Sequence, residues 1–510
     1  MLAICCHIVV GLLLSSNPPQ AAEFLDHAVQ EFRAGDYQSA RQSLEPLLNS
    51  SPQNAPAHNL LGLILMKELK YQEAEREFHT VLRLQPESAA AHVNLGNVLV
   101  EENRDGEARQ QFLQALSIHP EDPIALCAVG LIAARARNDG EAVRYLEAAN
   151  RLQPANLKTV SALAGVYIGQ KRFVEAEPLI DDLLHAGAAT KPALFSLALL
   201  ALDNGSPQLG SKCITNDPGA RAEYADASYR KAIQMADTKQ YKGALAILLS
   251  AGEDPHQSAG YHDLLGTIYY QLDNPKQATD EFQKAIHADP TNPDHYFKLG
   301  MMFVKHRTAD GAILVFNAGL KTQPKAANLW MGMGLSYYIQ GDSNTAKEKL
   351  YRAITLDPTY GPSYIVLCDL LSQTYMTEEL MKVLPQAIAV EPRNYLLPYY
   401  YGKALARTDP HAAEVQLHKS IAFNPNFAEA YFELGKNLDS GGDTSGAIDA
   451  FTRCLRLSPQ MAEAHYLLFR LYHNLGKQEL AVVQLNAFKQ IRKQNGDDER
   501  IRRLIFTVTE

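Results

Sequence analysis

Basic runs, clustered cysteines and catalytic signatures are what this 510-residue chain lacks, and each scarcity excludes something. Of six cysteines, Cys5 and Cys6 lie in the apolar amino terminus, while Cys127, Cys213, Cys368 and Cys454 stand singly. Without Cys-x-x-Cys or a cysteine–histidine cluster at zinc spacing, no metal or redox centre is expected. The net charge is −9, and concentrated cations occur only in the tail, at Arg492-Lys493 and at Arg500, Arg502 and Arg503. Nucleic acid is therefore not an expected partner. His-Glu-x-x-His, Gly-x-Ser-x-Gly and Gly-x-Gly-x-x-Gly are missing, and Gly402-Lys403, Gly435-Lys436 and Gly476-Lys477 lack the upstream glycine and following hydroxyl of a phosphate loop. No catalytic residue and no cofactor is expected, so the chain reads as non-enzymatic.

Against these absences stands a regular proline. Pro52, Pro86, Pro120 and Pro154 follow one another at 34 residues, as do Pro290, Pro324, Pro358 and Pro392, and Pro425, one residue short of the step, and Pro459 continue the series. The gap from Pro154 to Pro290 is four such steps, with Ala188, Ala222 and His256 in the vacant places. A period of that length predicts an all-α solenoid of helical hairpins, because each unit is too small to bury its own apolar face and must stack on its neighbours. Ten residues after each proline comes a small residue, such as Gly62, Gly96, Gly300 or Gly435, and twelve before it an alanine, such as Ala74, Ala108 or Ala278. Small side chains at one point on each helix let the two axes approach. Eight before the proline sits a large apolar residue, Phe78, Phe112, Phe282, Phe316 or Phe451, expected to fill the gap between repeats. The proline itself falls where it stops the second helix.

These features resemble tetratricopeptide repeats. Ala91 to Leu99, with Leu95-Gly96, then Glu107-Ala108, Phe112, Ala115 and Pro120, match the family pattern, and Trp330 occupies its tryptophan position. The resemblance covers roughly residues 21 to 495, about fourteen units, and implies a right-handed superhelix of antiparallel helix pairs. The expected organisation is a leader over 1–22, an array over 23–203, an irregular stretch over 204–222, a second array over 223–495, and a capping helix and tail over 496–510. In the sixth unit the first helix is expected at Lys191 to Asp203. The run Asn204 to Gly219 is too rich in Gly, Pro, Ser and Asn to hold a second one. It reads either as a decayed repeat or as a loop that separates two arrays and either lets them move or grips a ligand. Pro46, Pro178 and Pro385 fall inside second helices, where kinks are expected.

The amino terminus adds a near-unbroken apolar run from Leu2 to Leu14, with small residues at Ala21-Ala22. It is short for a membrane span and suits a secretory leader or an uncleaved anchor, although no Lys or Arg precedes it. On that reading the chain is exported to the periplasm or envelope, with the cytoplasm as the alternative.

The resemblance also implies a concave groove lined by the fifth, ninth and twelfth positions of each first helix. In the later units these bring aromatic and charged groups: Tyr270, Phe297, Met301, Met331, Leu335, Tyr338, Tyr399 and Lys403 form the expected groove for protein or peptide ligands. The competing use of these positions is packing between neighbouring first helices. His58, His92, His262 and His465 share one repeat position with Tyr296, Trp330 and Tyr364 and are expected to serve packing rather than chemistry. Of the family's clamp for chaperone carboxylate ends only the fragments Asn94 and Asn97 are present. The chain is thus expected to be a protein–protein interaction scaffold, possible roles being assembly of envelope complexes or, alternatively, recruitment of substrates to an enzyme on a separate chain.

Overall fold

A computed structural model describes residues 19–252 and 258–494. Residues 1–18 of the leader expected over 1–22, and the capping helix expected over 496–510, lie outside the described residues, while 19–22 open the first helix, Pro19–Ala34. The rest is helix after helix, with no strand among the described residues. By contacts the chain divides into two compact units, one holding the described residues of 1–238 and 243–255, the other those of 239–242 and 256–510. That division falls well beyond the 204–222 stretch at which the sequence suggests separate arrays.

In the first unit, Ala55–Lys67 pairs with Tyr71–Leu84, Ala89–Glu101 with Asp105–Ile118, and Pro123–Arg135 with Asp139–Leu152. The second repeats the theme, as in Pro293–Lys305 with Ala309–Thr322 and Ala428–Ser440 with Thr444–Leu457. Two residues past the ladder prolines, Asn54, Ser88, Asp122, Asn156 and Asn292 cap the first helices by accepting backbone N–H groups. Each cap satisfies donors that a helix start leaves unpaired, typically contributing about 1 kcal/mol.

The close approach of the two helices has a definite mechanism. A Cβ on Gly62 would stand 2.7 Å from the Phe78 ring, one on Gly96 2.8 Å from Phe112, and one on Gly435 2.7 Å from Phe451. The large residue therefore lies first over the glycine of its own hairpin, and not simply between repeats as the sequence suggested. Phe316 does both, since a Cβ on Gly332 in the next first helix would meet its ring at 2.5 Å. Phe78, Phe112 and Phe316 are wholly buried, as are Ala74, Ala108 and Ala312. Pro46, Pro178 and Pro385 sit inside unbroken helices.

The turn between the two helices of a unit carries a second ladder. Leu69, Asn103, Arg137 and Lys171, then Lys239, Asp273, Arg307 and Tyr375, hold φ between 56° and 61°, and Gly35, Gly205, Gly341, Gly442 and Gly476 occupy the matching place in other units. Through Gly205 this register passes the sixth unit without a break. There the first helix is Lys191–Asp203 as expected, but the stretch expected to be irregular contains a two-turn helix, Pro207–Cys213, and the start of a twenty-residue helix, Pro218–Asp237. Local rules explain the difference: each starts with proline at its first position, where a missing N–H costs nothing. Buried Tyr224 then fixes the short helix by donating its hydroxyl to the Pro207 carbonyl at 2.8 Å.

Candidate interaction face

The repeat position shared by histidine and aromatic residues has a common bond. Trp330 donates Nε1–H to the Pro324 carbonyl at 2.9 Å, and the Tyr296 and Tyr364 hydroxyls reach Pro290 and Pro358 at 3.2 Å. His58 and His465 face Pro52 and Pro459 in the same way through Nε2, at 3.0 and 3.1 Å. Their Nδ1 atoms turn to the second helix, His58 to Glu77 at 2.6 Å and His465 to Gln484 at 2.6 Å. These side chains tie a unit to the proline of the preceding one, so they pack as expected and also bond.

Most of the expected groove is core. Met331 and Leu335 are wholly buried, and Met301, Tyr338 and Tyr399 nearly so; all five belong to one apolar cluster, with Phe297 packed against it. Those five are thereby corrected from open groove to inter-repeat packing. The reason is that these positions join one first helix to the next. Tyr338 donates to Asp369 at 2.8 Å across 31 residues, and Tyr400 donates to the other Asp369 oxygen at 3.0 Å across another 31. Arg470 pairs with Asp439 at the same offset. Asp369 is buried, and both its own burial cost and that of the hydroxyls are met by these bonds. Burial, with the Asp369 charge beside it, holds the Tyr400 phenol well above its usual range.

Tyr270 and Lys403 remain partly open, as does Phe297. Tyr270 packs against a different apolar cluster, around Phe282 and Met302. What surrounds it is a two-rung strip on adjacent first helices, Ala259–Gln271 and Pro293–Lys305. On one rung the Asp263 carboxylate takes the Lys298 ammonium on one oxygen and His295 Nδ1, at 3.1 Å, on the other. On the other, Lys305 Nζ lies 4.2 Å from the centre of the Tyr270 ring, a cation–π contact. Asp263 and Tyr270 are two turns apart on one helix, as are Lys298 and Lys305 on the other. The Lys298 and Lys305 side chains are 40% and 36% exposed, whereas His295 is buried and its Nε2 has no hydrogen-bond partner. Sequence reasoning singled out Tyr270 but missed Lys298, Lys305 and His295, because the strip uses third, sixth and thirteenth positions as well as the fifth and twelfth.

Among the described residues no group of His, Cys, Asp and Glu could hold a metal ion, and no helix is long and apolar enough to cross a membrane. Cys127, Cys213, Cys368 and Cys454 are all buried free thiols.

Paired helices on a 34-residue step, eight of the pairs closed by a glycine under a large apolar side chain, define a helical-repeat protein. The chain belongs to the tetratricopeptide repeat family, whose signatures match residues 25–68, 65–123, 264–327 and 432–495, and in a second form 327–360. It is similar to anaphase-promoting complex subunit 3 of Schizosaccharomyces pombe, 22% identical over 44% of this chain and 34% of that one. It is also similar to the peroxisomal targeting signal receptor of Kluyveromyces lactis, 25% identical over 39% of this chain and 36% of the receptor. The chain thus spans about a third of the length of these curated relatives. Among solved structures, the APC/C hetero-tetramer Cut9-Hcn1 aligns over 96% of this chain and 97% of its own, at 15% identity and a TM-score of 0.40.

Proposed function

We propose that this chain is a non-enzymatic scaffold that binds partner proteins or peptides, and that in its second unit the strip on Ala259–Gln271 and Pro293–Lys305 is where a partner engages. The observation that carries the site is the strip itself. Where Met301, Met331, Leu335 and Tyr338 are absorbed into the core, here two lysines and a tyrosine ring stay partly open beside a carboxylate. Such an amphipathic, charge-bearing surface suits a polypeptide ligand, with the charges setting orientation and approach more than final affinity. The buried, unpaired His295 nitrogen supports the reading, because an apolar residue there would spare a cost of about 1–3 kcal/mol. Two of the relatives, a complex subunit and a signal receptor, are consistent with interaction as the chain's task.

Cross-linking pull-down with mass spectrometry tests this. Lys298→Glu combined with Lys305→Glu is expected to lower partner recovery by about tenfold with the helical circular dichroism signal retained; unaltered recovery removes the strip from the site. A single stoichiometric catalytic chain among the partners would favour the enzyme-recruiting alternative. We place the scaffold outside the cytoplasm on the strength of the apolar Leu2 to Leu14 run, with assembly of envelope complexes as its task. Amino-terminal sequencing of the mature protein checks the location, and a retained Met1 counts against it.

A further inference from the structure

The sixth unit differs from the rest in more than sequence. Other second helices run to about fourteen residues, whereas Pro207–Cys213 has seven, so one wall of the hairpin is incomplete. What is left open is a pocket of about 240 Å³ between the turn Gly187–Thr190, the first helix Lys191–Asp203, the short helix and the start of Pro218–Asp237. Its walls are Leu184, Leu194, Phe195, Cys213, Ile214 and Ala220. Gly187 and Ala188 of the turn close the side opposite Ala220, and the lip is polar: Lys191 Nζ stands 3.3 Å from the Asp217 carboxylate, with exposed Asn216 beside them.

We propose that this pocket is a socket for one bulky apolar side chain, leucine, methionine or phenylalanine, of a bound polypeptide whose flanking backbone lies against Lys191, Asn216 and Asp217. The proposal rests on the protein-binding reading above but on a separate site, in the other unit. Size selects the occupant. Ligand sites for drug-sized molecules run from about 300 to 1,000 Å³, and an apolar cavity of about 150 Å³ takes a benzene ring. A space of 240 Å³ holds one large side chain and little else. The lip selects a polypeptide over a free hydrocarbon, because an ion pair and an exposed amide offer both a donor and an acceptor to the peptide groups that flank an anchor. Cys213 contributes as wall, not as nucleophile: burial pushes its thiol up to about 12, so it stays protonated at neutral pH.

Phage-displayed random dodecapeptides selected on the immobilised full chain provide the probe. The enriched peptides are expected to share one Leu, Met or Phe, and its exchange for Ser is expected to weaken binding by about tenfold or more. Ala220→Trp, and separately Ala188→Phe from the opposite wall, fill the space and are expected to abolish that binding, with the helical circular dichroism signal retained. Lys298→Glu with Lys305→Glu should leave it intact, which separates failure of this socket from failure of the strip. A benzophenone placed at the anchor position should cross-link within residues 184–220. No enrichment, binding that ignores the anchor, binding that survives both fillings, cross-links elsewhere, or uptake of toluene with no peptide bound would each overturn the proposal.

Discussion

At the scale of single residues, the useful information lies in pairs. Gly62 and Phe78 are legible as a pattern, yet only their contact explains it: the glycine is there because the ring needs its Cβ volume. Gly62→Ala is expected to destabilise the protein by about 1–3 kcal/mol, measured by urea unfolding, since an alanine Cβ would sit 2.7 Å from the ring. His58 is a second pair-defined residue. Its hydrogen bond to Glu77, the largest influence, raises its pKa above 6.5, and with Pro52 O at the other nitrogen both ring positions face acceptors. The protonated ring satisfies both. A pKa raised on folding contributes stability that is full below the unfolded value of 6.5 and is lost as pH climbs through the folded one. Wild type should therefore lose unfolding free energy upward from that point, and His58→Gln should show a flatter profile; equal slopes would refute the role of the clasp.

For the helices and turns, the proline ladder gave the number and phase of the elements because it marks where second helices must end. The left-handed turn ladder was not legible: only five of its places are glycine, and Leu69 or Tyr375 gives no hint of φ near 60°. Such a conformation costs a non-glycine residue about 1–2 kcal/mol, part of which glycine's greater chain entropy offsets. Tyr375 is 85% exposed and so has little packing to lose. Tyr375→Gly is expected to stabilise the protein by up to about 1 kcal/mol, read as a rise in the urea midpoint. The stretch 204–222 misled for a related reason, because composition disfavours helix there while two proline starts and the Tyr224 hydroxyl favour it.

Over the whole molecule, each unit is a row of hairpins that touch mainly their neighbours, so damage should stay local. Phe78→Ala, expected to cost about 3–5 kcal/mol, should speed hydrogen exchange in the first unit and leave Gly361–Gln373, in the second, as protected as before. Uniform loss of protection would mean that the whole chain unfolds as one. The same neighbour-to-neighbour logic decided how much of the binding face could be read. The family's groove positions pointed to the right helices, but in Met331, Leu335 and Tyr338 they named residues that join those helices together.

The stitches from Tyr338 to Asp369 and from Asp369 to Tyr400 work at one offset, 31 residues each. They make the chain a ruler. A unit can shorten its second helix, as the sixth does, or exchange its aromatic for histidine, and its neighbours will still meet; its count of residues changes far less, the ladder stepping by 34 with a single step of 33 between Pro392 and Pro425. Length, more than helix content, is the quantity the units hold nearly constant.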